Sequence, residues 1–197
     1  AAAQRGATRR WVVASSSYAA HALYVRAGMF DRATLYPLRG HVEALLALPG
    51  PASGSHVERP VACGEWLDRL DALDREVRGA AHPEDHAFFL ELPDAQCRAI
   101  TRARGELAGY VYYWEGGHIG PLAAAEPELQ LALLRLAAEG LRASGADTVT
   151  LHVPSVDETV LGTLMSRRFV IRRLNTLMAS GVWGKLDRYL PSGGVLM

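Results

Sequence analysis

The stretch HALYVRAGMF, from His21 to Phe30, decides how the rest of this sequence is interpreted. Its apolar positions recur at the three- and four-residue spacing of a helix, and the serines of Ser15–Ser17 offer an N-cap before it. Gly28 is placed to end the helix in a left-handed conformation. The pattern therefore predicts a helix that carries Tyr24 and stops just before a hydrophobic pair.

Extended segments flank this helix. The segment RWVVA (Arg10–Ala14) is short and rich in valine, and ATLYPL (Ala33–Leu38) resumes the same extended character. A short apolar helix, HVEALLALPG (His41–Gly50), follows. A piece with only two strands leaves sheet edges and apolar faces uncovered. Residues 1–50 are therefore expected to dock onto the rest of the chain.

The segment from Pro49 to Pro60 is rich in proline, glycine and serine, which is typical of a connector. The sequence thus predicts a first unit at residues 1–50, a linker at 51–60, a second unit at 61–182 and a tail at 183–197, where KLDRYLPSGGVLM has little pattern.

The second unit alternates helical and extended patterns. Two helices, three strands, a helix, a strand, a helix and two strands follow one another, and Ser155 is the expected N-cap of the last helix. This order is typical of an α/β protein with a mixed sheet, with hairpins in the middle and helical crossovers near the end. The helices are expected at 66–79, 82–92, 127–145 and 155–168, and the strands at 97–103, 107–115, 118–124, 148–154, 169–174 and 175–181.

Composition excludes several classes of function. The 197 residues contain 21 Lys and Arg and 21 Asp and Glu, so the net charge is zero, which argues against nucleic acid as a partner. Cys63 and Cys97 lie far apart, and the seven histidines form no ligand spacing, so no metal site is expected. No apolar run approaches the length of a membrane helix and no signal pattern is visible, which indicates a cytoplasmic protein without a membrane partner.

The order of elements, together with the text IGPLAA (Ile119–Ala124), resembles the GNAT superfamily of N-acetyltransferases. In the late helix of that family, a polar residue, often Asn, is followed by Ala, Leu-Tyr and Gly-Phe at fixed spacings. The resemblance implies a GNAT-like mixed sheet flanked by helices, preceded by a partial strand-helix-strand piece of a second GNAT domain. The chain is then expected to be a fragment of a tandem protein. The residues that fall at the family's spacings are Ser17, Ala20, Leu23, Tyr24, Gly28 and Met29.

The resemblance also implies an activity, the transfer of an acetyl group from acetyl-coenzyme A to a small-molecule or peptide amine. Tyr24 falls at the place of a family tyrosine that protonates the departing coenzyme A thiolate as a general acid. The alternative is a tyrosine whose ring packs in the core with its hydroxyl at the rim. The backbone amides of Leu122, Ala123 and Ala124 are expected to pair with the pantetheine arm, or else to be an interior strand end.

The second unit departs from the family at both of its signatures. The segment PLAAAEPELQLALL contains no glycine where the family has a glycine-rich loop for pyrophosphate, and Glu126 and Glu128 would repel an anion there. In the late helix, Leu164 falls at the tyrosine place, Arg168 at the glycine place and Asp157 at the asparagine place. The resemblance still makes Asp157 a candidate cofactor contact. The alternative function is a catalytically silent GNAT-like scaffold or ligand-binding module.

Two further expectations concern side chains of the second unit, and one concerns the assembly. Asp74 and Arg78 have the spacing of an i,i+4 ion pair on a helix. Glu106 and Glu115 flank an aromatic strand, where either could act as a general base or be an ordinary exposed carboxylate. Whether a homodimer forms is left open.

Overall fold

The structure is a computed structural model that describes residues 9–15, 17–81, 83–181 and 184–193. In these residues the helices are α1 (Tyr18–Arg26), α2 (Val42–Leu46), α3 (Gly64–Val77), α4 (Pro83–Glu91), α5 (Glu128–Ala143) and α6 (Glu158–Ser166). The strands are β1 (Trp11–Ala14), β2 (Phe30–His41), β3 (His56–Glu58), β4 (Ala95–Thr101), β5 (Leu107–Trp114), β6 (His118–Ala124), β7 (Thr148–Pro154), β8 (Val170–Ile171), β9 (Asn175–Ala179) and β10 (Tyr189–Leu190).

All ten described strands join one mixed sheet in the order β1-β9-β2-β7-β6-β5-β4-β3, with β10 beside β6 and β8 beside β2. The predicted α/β class with a mixed sheet flanked by helices is confirmed. The first fifty residues do form a strand, a helix and a strand, but the two strands are not adjacent: β1 lies at the edge of the sheet, and β9, from the end of the chain, lies between β1 and β2. The division of the chain at 51–60 stays a prediction, and β3 lies within that segment.

Two strand-helix-strand segments are built alike. We call β1, α1 and β2 the first repeat, and β7, α6, β8 and β9 the second repeat. Ser17 caps α1 and Asp157 caps α6, each accepting a hydrogen bond from the backbone N–H three residues on. After the helices, Gly28 and Arg168 have positive φ values of 76° and 64°. Ser17 and Asp157 are separated by the same number of residues as Gly28 and Arg168. The two segments therefore align without an insertion or deletion between the N-cap and the end of the helix.

The pairing of β2 with β8 and β9 relates the two repeats by an approximate two-fold axis. Leu35 pairs with Asn175, its own equivalent in the second repeat. On one side of this pair Phe30 pairs with Ala179, and on the other side Arg39 pairs with Val170. Phe30 is equivalent to Val170, and Arg39 is equivalent to Ala179. Each of these two pairs therefore maps onto the other when the repeats are interchanged. The two repeats therefore lie antiparallel across the middle of the sheet, and each inserts a strand into the other.

The alternation of side chains along β5 divides the core into two layers. Tyr110 and Tyr112 belong to the cluster beneath α3 and α4, which includes Leu70 and Phe89. Val111 and its neighbour along the strand, Tyr113, point to the opposite face and belong to the larger cluster beneath α5. The sheet is therefore covered on both faces over the second unit.

The two equivalent helices differ in what covers them. Val160 and Leu164 of α6 are fully buried in the cluster that contains the apolar face of α5. In α1 no residue is buried, and the side chains of Tyr18 and Leu23 are 92% and 61% exposed. Within the described ranges, no second helix covers α1 as α5 covers α6.

Two local predictions were wrong, and one short strand was not predicted. Ser155 does not cap α6, because the hydroxyl of Ser155 accepts a hydrogen bond from the backbone of Thr34 and Asp157 is the cap. The strand predicted at 169–174 is only Val170–Ile171. The C-terminal region contains β10, which is too short for any periodic pattern to reveal it.

Candidate functional site: a filled cleft and a half-open helix

A cleft opens between β6 and β7. These strands run parallel and pair only where His118 meets Thr150 and Ile119 meets Leu151. Beyond this point β6 continues to Ala124 and β7 to Pro154 without further pairs between them. The V-shaped opening typical of the GNAT fold is therefore present in the second unit.

The chain's own strand β10 fills this cleft. Tyr189 pairs with Ala123 and Leu190 with Leu122, both antiparallel. The ring of Tyr189 is 1% exposed and lies in the cluster beneath α3 and α4, whereas Leu190 is fully buried in the cluster on the opposite face. Each residue of β10 thus contributes to one of the two cores.

The predicted cofactor contacts Leu122, Ala123 and Ala124 are all fully buried. β10 pairs with β6 on the side that faces β7, which is the side a pantetheine arm would use. The contact of these three residues with a cofactor stays a prediction, and the chain itself competes for it.

The start of α5 does not fit a pyrophosphate. Pro127 is its N-cap residue, with no side-chain cap, and the flanking residues are Glu126 and Glu128. Glu126 forms a salt bridge with Arg102. Two carboxylates and the absence of glycine between Leu122 and Gly140 leave no bare amide cradle for a phosphate.

Asp157 is satisfied within the protein. Its carboxylate is 2% exposed and accepts hydrogen bonds from the backbone N–H of Val160 at 3.1 Å and from the side chain of Gln130 at 2.7 Å. Burial raises the pKa of Asp157 to about 6. The residue caps α6 and joins it to α5, and its predicted role as a cofactor contact stays untested by a ligand.

A buried polar cluster lies between α3, α4 and β5. The carboxylate of Asp74 is fully buried and accepts hydrogen bonds from the hydroxyl of Tyr110 at 2.6 Å and from Arg78 at 3.3 Å. His86 lies 3.3 Å from the same carboxylate and 3.1 Å from the hydroxyl of Tyr112. Burial, followed by the charge of Asp74, raises the pKa of Tyr110 well above its usual value.

This cluster is closed by the C-terminal segment. The guanidinium carbon of Arg78 lies 5.5 Å from the centre of the Tyr189 ring. The cavity enclosed there measures about 10 Å³, which is room for one water molecule and not for a substrate. The sequence spacing predicted that Asp74 and Arg78 form an ion pair. It did not predict the other members of the cluster, although Tyr110 and Tyr112 belong to the aromatic strand GYVYYW.

Tyr24 lies on the outward helix of the first repeat. Its half-buried ring packs against Ala14, Met29 and Met178, together with Val12. Beside it, a groove of about 460 Å³ runs along the N-terminal half of α1, lined by Ser15, Ser17, Tyr18, His21, Ala22 and Thr176.

Three contacts hold α1 in place. The hydroxyl of Ser17 accepts a hydrogen bond from Ala20 at 3.4 Å, and the carbonyl of Tyr24 accepts one from Met29 at 3.0 Å. His21, one turn before Tyr24, lies 2.9 Å from the carboxylate of Asp31 on β2. The first two contacts define the ends of α1, and the contact of His21 with Asp31 joins the helix to the sheet.

The remaining candidates do not form a site. Glu106 is exposed and pairs with Arg102 at 2.9 Å, while Glu115 is exposed at the other end of β5. Cys63 is exposed, and burial raises the pKa of the Cys97 thiol above its usual range. Within the described ranges, no group of three or more His, Cys, Asp or Glu side chains is arranged to hold a metal ion. No helix there has the length and apolar character needed to cross a bilayer.

Comparison with known proteins gives matches in structure alone. No protein-family profile and no curated protein sequence matches the chain. A proposed acetyltransferase from Pyrococcus horikoshii superimposes with a TM-score of 0.69 at 16% identity, over 98% of this chain and 62% of that chain. A GCN5-related N-acetyltransferase from Anabaena variabilis gives 0.61 at 12% identity, over 90% and 47%.

A tandem GNAT protein from the clavulanic acid biosynthesis pathway gives a TM-score of 0.55 at 15% identity, over 88% of this chain and 64% of that chain. The chain thus spans less than two thirds of each of these three solved chains. The resemblance predicted from the late helix and from IGPLAA is confirmed at the level of structure. The chain has the fold of the GCN5-related N-acetyltransferases.

Proposed function

We propose that this chain is part of a two-unit GNAT protein that transfers an acyl group from acyl-coenzyme A to an amine. In this proposal the first repeat supplies Tyr24 as the general acid, and the second unit is catalytically silent. The observation that carries the proposal is the two-fold relation of the repeats. It makes Tyr24 equivalent to the buried Leu164, which carries no proton to donate.

The cleft of the second unit supports the silent assignment. Its opening is occupied by Tyr189 and Leu190, both buried, and the adjoining start of α5 presents Glu126 and Glu128 to any phosphate. Displacing β10 would expose two apolar side chains at a cost of roughly 1.5–3 kcal/mol each. A cofactor that binds in this cleft would have to overcome that cost and the repulsion by both carboxylates.

The uncovered surfaces of the first repeat indicate where an active cleft would lie. In the second repeat, β7 pairs with β6, and Gln130 of α5 contacts the cap of α6. In the first repeat, the equivalent strand β1 ends the sheet, and α1 exposes Tyr18 and Leu23. A strand and a helix equivalent to β6 and α5 would cover these surfaces in a complete unit. They would create a second V-shaped opening beside the groove at Ser17.

In the reaction, acyl-coenzyme A supplies the thioester when it is bound. The amine nitrogen forms a bond to the acyl carbon, and the bond from that carbon to sulfur breaks. The sulfur leaves with the electron pair and takes the proton from the Tyr24 hydroxyl, while the amine loses its proton to water or a carboxylate. The acceptor is a small-molecule or peptide amine.

Replacement of Tyr24 tests the first half of the proposal. In the full-length protein, Tyr24→Phe is expected to lower kcat by about 10²-fold with KM for acyl-coenzyme A nearly unchanged, because the phenol acts only as the thiolate departs. The matched control is Tyr36→Phe, which removes a hydroxyl from a half-buried tyrosine that packs on the main core and not on the cluster beneath Tyr24. Equal activity of the two variants would refute Tyr24 as the acid.

Calorimetry tests the second half. Titration of this chain with acetyl-coenzyme A is expected to show no binding in the micromolar range, because β10 fills the cleft of the only nearly complete unit among the described residues. Micromolar binding would overturn the silent assignment. Acyltransfer by the full-length protein would remain possible in that case, since the two measurements address different units.

A further inference from the structure

The floor beneath α1 is not made by the first repeat alone. β9 lies between β1 and β2 in the sheet, and it comes from the second repeat. In register, Met178 of β9 pairs with Val12 of β1 on one side and with Asp31 of β2 on the other. The helix that carries Tyr24 therefore rests on a strand contributed by the opposite unit.

Met178 is the centre of this floor. Its side chain is fully buried, in one cluster with Ala14 and Met29, and the ring of Tyr24 packs against that cluster. The neighbouring residue of β9, Leu177, is 1% exposed but points to the opposite face, where it lines a different cavity. Among the described residues of the second repeat, Met178 is the member of the cluster that supports Tyr24.

We infer that Met178 is a positioning residue for Tyr24, and that the silent unit is required because its strand β9 completes the acid site of the first unit. This inference rests on the proposed function of Tyr24. It gives the second unit a role in catalysis that needs no cofactor in its own cleft.

The expected effect follows from packing. Replacing Met178 by Ala removes most of a fully buried side chain and leaves space beneath the ring of Tyr24, into which the ring can move. A displacement of about 1 Å in a reacting group can cost on the order of 10²-fold in rate. Since Tyr24 is held elsewhere by the ends of α1, we expect a fall in kcat of about 10-fold with KM unchanged.

The test uses four variants of the full-length protein: Met178→Ala, Met178→Leu, Leu177→Ala and the double variant Met178→Ala with Tyr24→Phe. Met178→Leu should restore most of kcat, because it refills the space. Leu177→Ala is the matched control, a loss of apolar volume on the same strand that does not reach Tyr24. It should leave kcat unchanged at a temperature where all the variants are folded.

The double variant separates positioning from general damage. If Met178 acts through Tyr24, the double variant is no slower than Tyr24→Phe alone. A second readout is the ¹⁹F NMR signal of 3-fluorotyrosine placed at position 24, which should shift or broaden in Met178→Ala and stay unchanged in Leu177→Ala.

Two results would overturn the inference: kcat of Met178→Ala equal to that of Leu177→Ala, or a double variant slower than Tyr24→Phe by the full single effect of Met178→Ala. Failure of the proposed function has a different signature, since Tyr24→Phe would then retain full activity whatever Met178 does.

Discussion

Asp157 links two helices of the second unit through its side chain. It stands where the GNAT pattern has a polar residue, often Asn, and it caps α6 while accepting a hydrogen bond from Gln130. The oxygen of the Gln130 amide, Oε1, is buried and has no hydrogen-bond partner among the described residues. An asparagine at position 157 would keep the cap, because its side-chain oxygen can accept from the backbone N–H of Val160. Its amide N–H could donate to Oε1 of Gln130, after the Gln130 amide flips so that its nitrogen and oxygen exchange places.

We therefore predict that Asp157→Asn stabilises the protein at neutral and alkaline pH. The folded-state pKa of Asp157 is raised from 3.8 to about 6, so the stability that this group contributes is present below pH 3.8 and is lost as the pH rises through 6. The variant has no such loss. In urea unfolding it should exceed the wild type by on the order of 1–3 kcal/mol at pH 8, and the difference should vanish near pH 4.

Asp157→Ala is the control for this prediction. It removes the cap acceptor as well as the charge, and should cost about 1 kcal/mol relative to the asparagine variant at both pH values. A wild type more stable than Asp157→Asn at pH 8 would show that the buried carboxylate is stabilising as it stands.

At the scale of elements, the two-residue strand β10 closes the cleft of the second unit. It closes the splay between β6 and β7 and places Tyr189 against Arg78 on one face and Leu190 in the main core on the other. A GNAT cleft that would otherwise be open is thereby converted into the interior of the protein.

We predict that Leu190→Ala destabilises the chain by about 2–4 kcal/mol, because it empties a fully buried position in the larger core. The control is Leu174→Ala, a leucine that is 59% exposed, which should change stability by less than about 0.5 kcal/mol. Denaturant unfolding gives both values.

Hydrogen exchange adds a local measurement to the same pair of variants. Amides of β6 should exchange faster in Leu190→Ala than in Leu174→Ala, because β10 pairs with that strand. If β6 exchanges equally in both, β10 does not hold the cleft closed.

At the scale of the whole molecule, the two repeats are interleaved. β2 from the first repeat lies between β7 and β9, and it pairs with β7 from Leu35 to His41. The same N-terminal segment contributes Leu38, Val42, Leu45 and Leu48 to the main core of the second unit. The second unit is therefore incomplete without the first fifty residues.

This arrangement predicts that a fragment of residues 51–197 does not unfold cooperatively. Its strand β7 would lose seven paired positions, and the core beneath α5 would be exposed where β2 and α2 pack. Mixing it with a fragment of residues 1–50 should restore a cooperative thermal transition, whereas the intact chain shows one without addition. A cooperative transition in the 51–197 fragment alone would establish it as an independent domain.

The sequence by itself determined the local elements with the strongest patterns. The strands His118–Ala124 and Thr148–Pro154 match their predicted bounds, because a short apolar run after a Gly-Gly turn marks the first and alternating β-branched residues mark the second, and both signals lie within a single segment. The helix of Tyr24 and its end at Gly28 were equally local, since capping and left-handed termination depend on neighbours in the chain. These elements and their order, together with IGPLAA and the spacing around Tyr24, carried the resemblance that implied the GNAT fold.

Only the tertiary structure decided which strands became neighbours. The insertion of β9 between β1 and β2, and of β10 into the cleft, depends on pairing between residues far apart in sequence, and a two-residue strand has no period to detect. The burial of Asp74 and the contact of Met178 with the Tyr24 cluster arise in the same way. Local patterns specify which face of an element is apolar, but what covers that face is settled only when distant segments meet.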